Sequence, residues 1–201
     1  MMLKYALLAC TFPIIITHAA ELAEVDVEIC SLQSQDWKHL KSLRLKAAQE
    51  NPIILGSTEE EEEKRQDNFY SSLLEKSATG NDTWLRFARL GNEYIGFIGA
   101  RCERPEVGLM CHNATMAGFY VMKEFRKKIE TGLLREMIST LSETPHIESV
   151  SVLISDTQQS TITLYKLHGF CKTGHITYGL KYDGDFYPQR IMEKRLDKSG
   201  E

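Results

Sequence analysis

Apolar and polar residues alternate along several short stretches of the chain, and this period of two predicts half-buried β-strands. The predicted strands are VDVEICSL (residues 25–32), TWLRFARL (83–90), EYIGFIGARCE (93–103), TMAGFYVM (115–122), IESVSVLI (147–154) and two near the C-terminus, at 175–182 and 186–196. Tight-turn dipeptides at Gly91-Asn92 and Asp183-Gly184 separate two pairs of these strands. We therefore expect two β-hairpins among them.

Four other segments repeat their apolar residues at the spacing of an amphipathic helix. They are DWKHLKSLRLKAAQENP (residues 36–52), a segment from the acidic run EEEEE (59–63) to about residue 75, IETGLLREMISTL (129–141) and TITLYKLHG (161–169). Asp36 is a suitable N-cap for the first helix, and Pro52 is expected to stop it. The carboxylates of residues 59–63 suit the first turn of the second helix. SDTQ, at residues 155–158, predicts a capping box before the fourth helix, which Gly169 closes.

The order of the predicted elements is β-α-α-β-β-β-α-β-α-β-β, which is typical of an α+β protein. We expect a three-layer α/β/α sandwich with one mixed sheet between about four helices. The chain has 201 residues, of which 42% are hydrophobic and 26% are charged, enough for one well-packed domain at residues 25–196. Its formal net charge of −4 offers no general attraction to nucleic acid.

The first 20 residues, MMLKYALLACTFPIIITHAA, differ in composition from the rest of the chain. Lys4 precedes an apolar run from Tyr5 to Ile16, and small residues follow at Thr17 and Ala19, as in a secretory signal peptide. The run is too short for a stable transmembrane span. Two other interpretations stay open: an upstream start codon, or an N-terminal strand or helix packed loosely on the domain.

The five cysteines contain no C-x-x-C pair and have no histidine at metal-ligand spacing, so the sequence predicts no metal site. They are Cys10, Cys30, Cys102, Cys111 and Cys171. In an exported protein, Cys102 and Cys111 form the pair to test for a disulfide. In a reducing cytosol all five are expected to be buried thiols.

FRKKIETGLL, residues 125–134, places three basic side chains at the beginning of an amphipathic helix. They are Arg126, Lys127 and Lys128. A strand precedes this segment, so FRKKIET is predicted to be a strand-to-helix turn. Unpaired N–H groups and the helix dipole favour an anion at such a helix start. Because the chain as a whole is acidic, we expect the cluster to bind a small anion.

Four segments of the chain together resemble the GNAT superfamily of acetyl-CoA-dependent N-acetyltransferases, and its bacterial members in particular. They are LRLKAAQENPIILGSTEEEE (residues 43–62), FYVMKEFRKKIETGLL (119–134), LYKLHGFCKTG (164–174) and FYPQRIMEKRL (186–196). They occur in the family's order and span most of the chain. The resemblance implies the GNAT fold, whose sheet is mostly antiparallel, and acetyl-CoA as the cosubstrate.

The resemblance also implies which residues bind acetyl-CoA. They are Phe119, Tyr120, Val121, Arg126, Lys127, Lys128, Ile129, Glu130, Thr131 and Gln158. In the family, the backbone at the position of Phe119–Val121 pairs with the pantetheine arm, and an N–H there polarises the thioester carbonyl. The turn that corresponds to residues 126–131 binds the pyrophosphate. Gln158 stands where the family often has a cofactor-contacting asparagine, and its position also suits a helix cap.

The pyrophosphate turn departs from the family's usual pattern at several positions. Lys127 and Ile129 stand where glycine is usual, Glu130 adds a carboxylate, and the turn is one residue short. A charge-assisted hydrogen bond contributes about 1.5–3 kcal/mol, so we expect weaker cofactor binding than is usual in the family. Direct contacts from two lysines to phosphate would offset part of this loss.

The catalytic residue implied by the resemblance is a tyrosine that acts as general acid toward the leaving CoA sulfur, and Tyr165 stands at that position in LYKLHGF. Glu103 and Glu106 are candidates for a general base, with proton transfer through water as the alternative. The implied acceptor is a primary amine of a small molecule or a protein. The acidity of residues 51–79 favours a cationic acceptor.

The unusual turn and the signal-like N-terminus leave a second function open, a weakly active or inactive GNAT-fold binding protein that is exported. A third possibility is export into a host cell that supplies acetyl-CoA. The sequence therefore leaves the location open between the cytoplasm and export, and the assembly open between monomer and homodimer.

Overall fold

The structure is a computed structural model that describes residues 27–102 and 108–198. Its strands are β1 (Val27–Cys30), β2 (Thr83–Leu90), β3 (Glu93–Arg101), β4 (Asn113–Val121), β5 (Ser149–Ser155), β6 (Cys171–Tyr182) and β7 (Asp185–Arg195). They form one sheet in the order β1-β2-β3-β4-β5-β7-β6. Every neighbouring pair is antiparallel except β4 and β5, which run parallel. The predicted mixed, mostly antiparallel sheet is confirmed.

Six α-helices lie within the described residues. They are α1 (Trp37–Glu50), α2 (Pro52–Leu55), α3 (Glu59–Lys64), α4 (Asp67–Thr79), α5 (Arg126–Glu143) and α6 (Gln159–Leu167), with single 3-10 turns at Ser34–Asp36 and Lys123–Phe125. The predicted number was about four. α1 ends at Glu50, just before Pro52 as predicted, and Pro52 then begins α2, because proline is well suited to a helix start. The predicted helix from residue 59 is interrupted at Arg65, whose backbone is extended.

The helices cover both faces of the sheet, and the strand register shows which helix lies on which face. Arg86, Ile98 and Phe119 are cross-strand neighbours. Arg86 lies 3.8 Å from Glu136 of α5, and the Phe119 ring contacts Tyr165 of α6. Side chains alternate along a strand, so residues next to these project to the opposite face.

The opposite face of the sheet is covered by the N-terminal helices. Phe87, Phe97 and Tyr120 are cross-strand neighbours on that face. The Tyr120 hydroxyl reaches Glu50 at the end of α1. The predicted α/β/α sandwich is therefore confirmed, with α1 on one face of the sheet and α5 and α6 on the other.

Some of the sequence predictions concern residues that the structure does not describe, and others concern the cysteines and membrane spans. The signal-like segment 1–20 lies outside the described residues, and so do Cys10, Glu103 and Glu106. Cys102 and Cys111 are free thiols, and the Cys102 sulfur lies 3.7 Å from the Cys111 carbonyl oxygen. Within residues 27–102 and 108–198, no helix combines the length and apolar character needed to cross a membrane.

Candidate functional site

A cleft opens in the middle of the sheet, where β4 and β5 stop pairing. The two parallel strands are paired over only three positions, ending at Thr115 and Ser151. Beyond them, residues 116 and 118–121 of β4 and 152–154 of β5 line the two sides of a cleft, which we call the β4–β5 cleft. A β-bulge in this part of β4 includes Gly118, whose φ of 94° favours glycine. The bulge shifts the register of β4 against β3 beside the cleft.

The backbone of β4 presents unpaired groups to this cleft. The Met122 N–H donates to the Ile95 carbonyl, 2.9 Å away, so the backbone groups of Met122 point toward β3. Because these directions alternate along an antiparallel strand, the N–H and C=O groups of Phe119 and Val121 point toward the cleft. Arg126 already donates to the Val121 carbonyl, at 3.1 Å. The Phe119 backbone and the Val121 N–H are left for a ligand.

Tyr165 lies on α6 with its side chain at the wall of the cleft. It is 1% exposed, and its ring makes edge contacts with Phe119 and Phe170, with centroids 6.2 and 4.9 Å apart. Among the described residues, its hydroxyl is the only buried side-chain nitrogen or oxygen without a hydrogen-bond partner. Burial raises the pKa of this hydroxyl. An unsatisfied buried polar group costs about 1–3 kcal/mol, which a ligand with an acceptor atom would recover.

The basic segment that follows β4 is more helical than its sequence predicts. One 3-10 turn, Lys123–Phe125, connects β4 to α5, which begins at Arg126. The predicted turn at residues 126–131 therefore forms the start of the helix. Residues 126–131 contain no glycine that would favour an irregular turn; the first glycine is Gly132. Those of the six residues that are not β-branched are good helix formers. The first N–H groups of α5 have no side-chain cap, and Arg126 and Glu130 line the cleft.

Glu50 organises this end of the cleft, and the sequence prediction missed it. Its two carboxylate oxygens accept hydrogen bonds from Arg126 Nη2 and from the Tyr120 hydroxyl, both at 2.6 Å. Burial and the hydrogen bond to Glu50 raise the pKa of Tyr120. An acidic residue in the last turn of α1 sits at the negative end of the helix dipole, which was a sequence signal for a cationic partner.

The remaining residues of the basic segment differ in exposure. Lys127 and Lys128 are exposed and make no ion pair within the described residues, whereas Ile129 and Thr131 are half-buried. Glu130 is half-buried at the cleft, and burial raises its pKa against the opposing effect of Arg126. The helix start therefore offers two unpaired cations and one carboxylate that opposes an anion.

Gln158 is the N-cap of α6 by backbone position, but its side chain makes no capping hydrogen bond. The predicted capping box does not form. Instead the Ser155 hydroxyl accepts from the Thr157 N–H at 3.3 Å. The Gln158 side chain lines the cleft without a hydrogen bond inside the described part of the chain, so it is available to a ligand.

A second cavity, of about 530 Å³, meets the cleft from the side of the sheet that α1 covers. The two share Ile54, Met116, Gly118 and Leu153. Residues from α1, α2, α4 and strands β2 to β4 line this cavity, which we call the arginine-lined cavity. Its charged lining residues are Arg44, Arg65 and Arg101. A molecule in the cleft and another in this cavity can therefore meet at the gap between β4 and β5.

The arginine-lined cavity has no evident base among its described residues. The lining residues include no aspartate, glutamate, histidine or tyrosine within residues 27–102 and 108–198. The acidic run of residues 59–63 does not reach the cavity lining either. Glu62 is buried between arginines, and the other four glutamates are exposed. The preference for a cationic acceptor, which the acidity of residues 51–79 suggested, stays a prediction.

Solved structures with this arrangement of strands and helices are known, although no protein-family model and no curated protein matches the sequence. A GNAT-family acetyltransferase from Streptococcus pneumoniae is 16% identical, with 86% of this chain and 100% of that chain covered and a TM-score of 0.75. A putative acetyltransferase from Salmonella typhimurium, solved with acetyl-CoA, is 13% identical, with 88% and 97% covered and a TM-score of 0.73. A phosphinothricin acetyltransferase from Sinorhizobium meliloti, in complex with acetyl-CoA, is 17% identical, with 87% and 91% covered and a TM-score of 0.71.

The sheet split between β4 and β5, with helices on both faces, is thus the α+β arrangement that these solved structures share. The chain has the GNAT fold.

Proposed function

We propose that the protein is an N-acetyltransferase that transfers the acetyl group of acetyl-CoA to a primary amine of a small molecule or a protein. The observation that carries the proposal is the Tyr165 hydroxyl, which is buried at the wall of the β4–β5 cleft and has no hydrogen-bond partner among residues 27–102 and 108–198. Such a group destabilises the fold until a ligand supplies an acceptor atom, and the sulfur of a CoA thioester at this point of the cleft would supply one.

The cleft residues fit the pantetheine arm and thioester of acetyl-CoA. The arm is an extended chain with amide groups, and the free backbone groups of Phe119 and Val121 can pair with it as a neighbouring strand would. When bound, acetyl-CoA supplies an acetyl group activated as a thioester. The Phe119 and Val121 N–H groups are the candidates that polarise its carbonyl oxygen.

Tyr165 acts on the departing sulfur in this proposal. Its pKa is raised by burial above the ordinary value of about 10, whereas a thiol titrates near 8.5. The hydroxyl therefore stays protonated and donates a hydrogen bond to the developing thiolate, because complete transfer of its proton is uphill. Such a bond to a charged group is worth about 1.5–3 kcal/mol.

The start of α5 is the proposed site for the pyrophosphate. Free N–H groups and the positive end of the helix dipole favour an anion there, and Lys127 and Lys128 add two unpaired charges. Arg126 is held by Glu50, so it contributes less positive charge than its position implies. The amine is proposed to enter from the arginine-lined cavity and to lose its proton to solvent or to Glu103 or Glu106.

Calorimetric titration of acetyl-CoA into the protein, combined with a thiol assay of CoA release with a panel of primary amines, tests the proposal. We expect binding and amine-dependent CoA release. S-acetylpantetheine, which lacks the pyrophosphate, is the matched probe and should bind more weakly. Absence of binding at about 1 mM acetyl-CoA, a Kd too weak for cellular use, would overturn the proposal. Binding without release for any amine would support the inactive binding protein instead.

Replacement of Glu130 by glutamine is expected to tighten acetyl-CoA binding about tenfold, equivalent to roughly 1.4 kcal/mol. The variant removes a half-buried negative charge from the cleft. Because the pKa of Glu130 is raised, the wild-type affinity should also increase as the pH falls and this carboxylate becomes protonated. Calorimetry at two pH values measures both effects.

Glu124→Gln is the matched control for Glu130→Gln. It removes the same charge next to the same helix start, but Glu124 is exposed and does not line the cleft. We expect its acetyl-CoA affinity to stay close to that of the wild type. If the two variants bind equally tightly, the effect reflects net charge and Glu130 does not oppose the ligand directly.

A further inference from the structure

Two arginines on the wall of the arginine-lined cavity, Arg44 and Arg65, share a single carboxylate. No acidic residue lines this cavity in the described part of the chain. Glu62 lies behind the lining, 0% exposed, and is the carboxylate that pairs with both Arg44 and Arg65. Two guanidinium groups share one carboxylate, so this cluster keeps a net charge of about one positive unit.

The geometry of the cluster leaves donors on both guanidinium groups. Arg44 binds Glu62 through Nε and Nη2, at 2.9 and 2.7 Å. Arg65 binds Glu62 through Nε at 3.1 Å and approaches the Ser57 hydroxyl through Nη2 at 3.5 Å. The Nη1 group of each arginine makes no hydrogen bond with the described residues. Each guanidinium therefore has free N–H donors.

Packing holds these two side chains in place. The guanidinium carbons of Arg65 and Arg44 lie 4.6 and 5.8 Å from the centre of the Phe69 ring. The Arg44 and Arg65 side chains are 13% and 35% exposed. The Tyr70 hydroxyl lies 2.9 Å from the carbonyl oxygen of Glu62 and 3.1 Å from its carboxylate, so its one proton is shared between these two acceptors. Rigid, partly desolvated guanidinium groups are well suited to bind a carboxylate or a phosphonate, because little side-chain entropy is lost.

The cavity joins the β4–β5 cleft through four shared residues, so a molecule that fills it also reaches the proposed transfer point. We infer that the acceptor is a small amine that also carries an oxyanion, a carboxylate or a phosphonate, and that Arg44 and Arg65 bind this group. The inference rests on the proposed acetyltransferase function and specifies its substrate class. The volume of about 530 Å³ is in the range of sites for small molecules.

Matched pairs of acceptors test the inference. Each pair contains an amino acid and its own carboxamide, such as methionine and methioninamide, and a phosphonate pair compares aminoethylphosphonate with ethanolamine. In each pair, the member that carries the oxyanion should have the higher kcat/KM, by tenfold or more. We expect this also for the amino acids, although their carboxamides are less basic amines. Because a carboxamide has more neutral amine at pH 7, a preference for the acid cannot arise from amine basicity.

Arg65→Gln removes one guanidinium and should reduce this preference to threefold or less, whereas Arg65→Lys should keep part of it. Lys64→Gln removes one positive charge from the adjacent residue, which is exposed and does not line the cavity, and should leave the preference unchanged. Thermal unfolding of each variant controls for loss of structure. Arg65 is chosen because Arg44 is the more buried partner of Glu62.

The outcomes separate the two proposals. CoA release with equal kcat/KM for both members of every pair would overturn the oxyanion inference and leave the acetyltransferase proposal standing. If no amine is acetylated, calorimetric binding of the same pairs to the protein decides the inference: an oxyanion preference that Arg65→Gln abolishes supports it, and equal or absent binding overturns it.

Discussion

Replacement of Tyr165 by phenylalanine is expected to lower kcat by roughly 10- to 100-fold and, at the same time, to stabilise the protein. The loss of turnover follows from removal of a hydrogen bond worth about 1.5–3 kcal/mol to the leaving thiolate. The gain in stability follows because the hydroxyl is buried without a partner, at a cost of about 1 kcal/mol or more. A rise in Tm of about 2–4 °C per kcal/mol is expected for a protein of this size.

Steady-state kinetics and thermal unfolding of the same preparation measure the two effects. The interaction is made with the transition state, so kcat and kcat/KM for acetyl-CoA should fall together. Unchanged kcat would contradict the proposed role of Tyr165, and a loss of stability would contradict the absence of a partner for its hydroxyl.

Tyr120→Phe is the matched stability control. Tyr120 is also a buried tyrosine next to the cleft, but its hydroxyl donates to the carboxylate of Glu50 at 2.6 Å. Removal of that bond should destabilise the protein by about 1.5–3 kcal/mol, opposite in sign to the change at Tyr165. The same atom is thus deleted from two buried tyrosines, and only the difference in hydrogen bonding predicts opposite changes in Tm.

Acid unfolding is expected to depend strongly on Glu62. Burial by itself raises the pKa of this carboxyl, but hydrogen bonding with Arg44 and the charges of Arg44 and Arg65 outweigh it and lower the pKa from 4.5 to about 2. The folded state therefore binds this proton less readily than the unfolded state. The resulting stabilisation, about 3 kcal/mol, is fully present above pH 4.5 and is lost as the pH falls toward about 2.

Glu62→Gln should remove this pH dependence and lower stability at neutral pH by about 3 kcal/mol, because two buried or half-buried arginines lose their common carboxylate. Denaturant unfolding between pH 2 and 7 measures both. Glu63→Gln, at the exposed neighbouring position, should behave like the wild type. Parallel acid curves for wild type and Glu62→Gln would refute the role assigned to this carboxylate.

Much of the fold could be predicted from local patterns. The hairpin at Gly91-Asn92, the turn at Asp183-Gly184 and the buried stripe of α5 all depend on residues close in sequence, which is why alternation and turn chemistry locate them. The helix boundaries were less predictable. Pro52 follows the end of α1 and begins α2, and a proline in a sequence can indicate either the end of one helix or the start of the next.

The sequence named several residues that the structure brings together. Tyr165 and the backbone of Phe119–Val121 line the β4–β5 cleft, and their roles in catalysis and cofactor binding stay predictions. Glu50 was missed because its partners, Tyr120 and Arg126, are about 70 residues away along the chain. The basic residues at the start of α5 were predicted, but the sequence did not show that residues 126–131 are already helical, since a deviation from a family turn does not state which conformation replaces it.

The sequence by itself determined the order of strands and helices, the chemical types of residue near β4 and α6, and the basic character of the α5 start. Only the tertiary structure decided which charges face which cavity. The acidic run at residues 59–63 was predicted to begin a helix, and four of its glutamates are exposed, but packing buries Glu62 between Arg44 and Arg65, which line the cavity. Composition records the charges of a segment, but the potential in a cavity depends on which charges are neutralised and which are exposed to it.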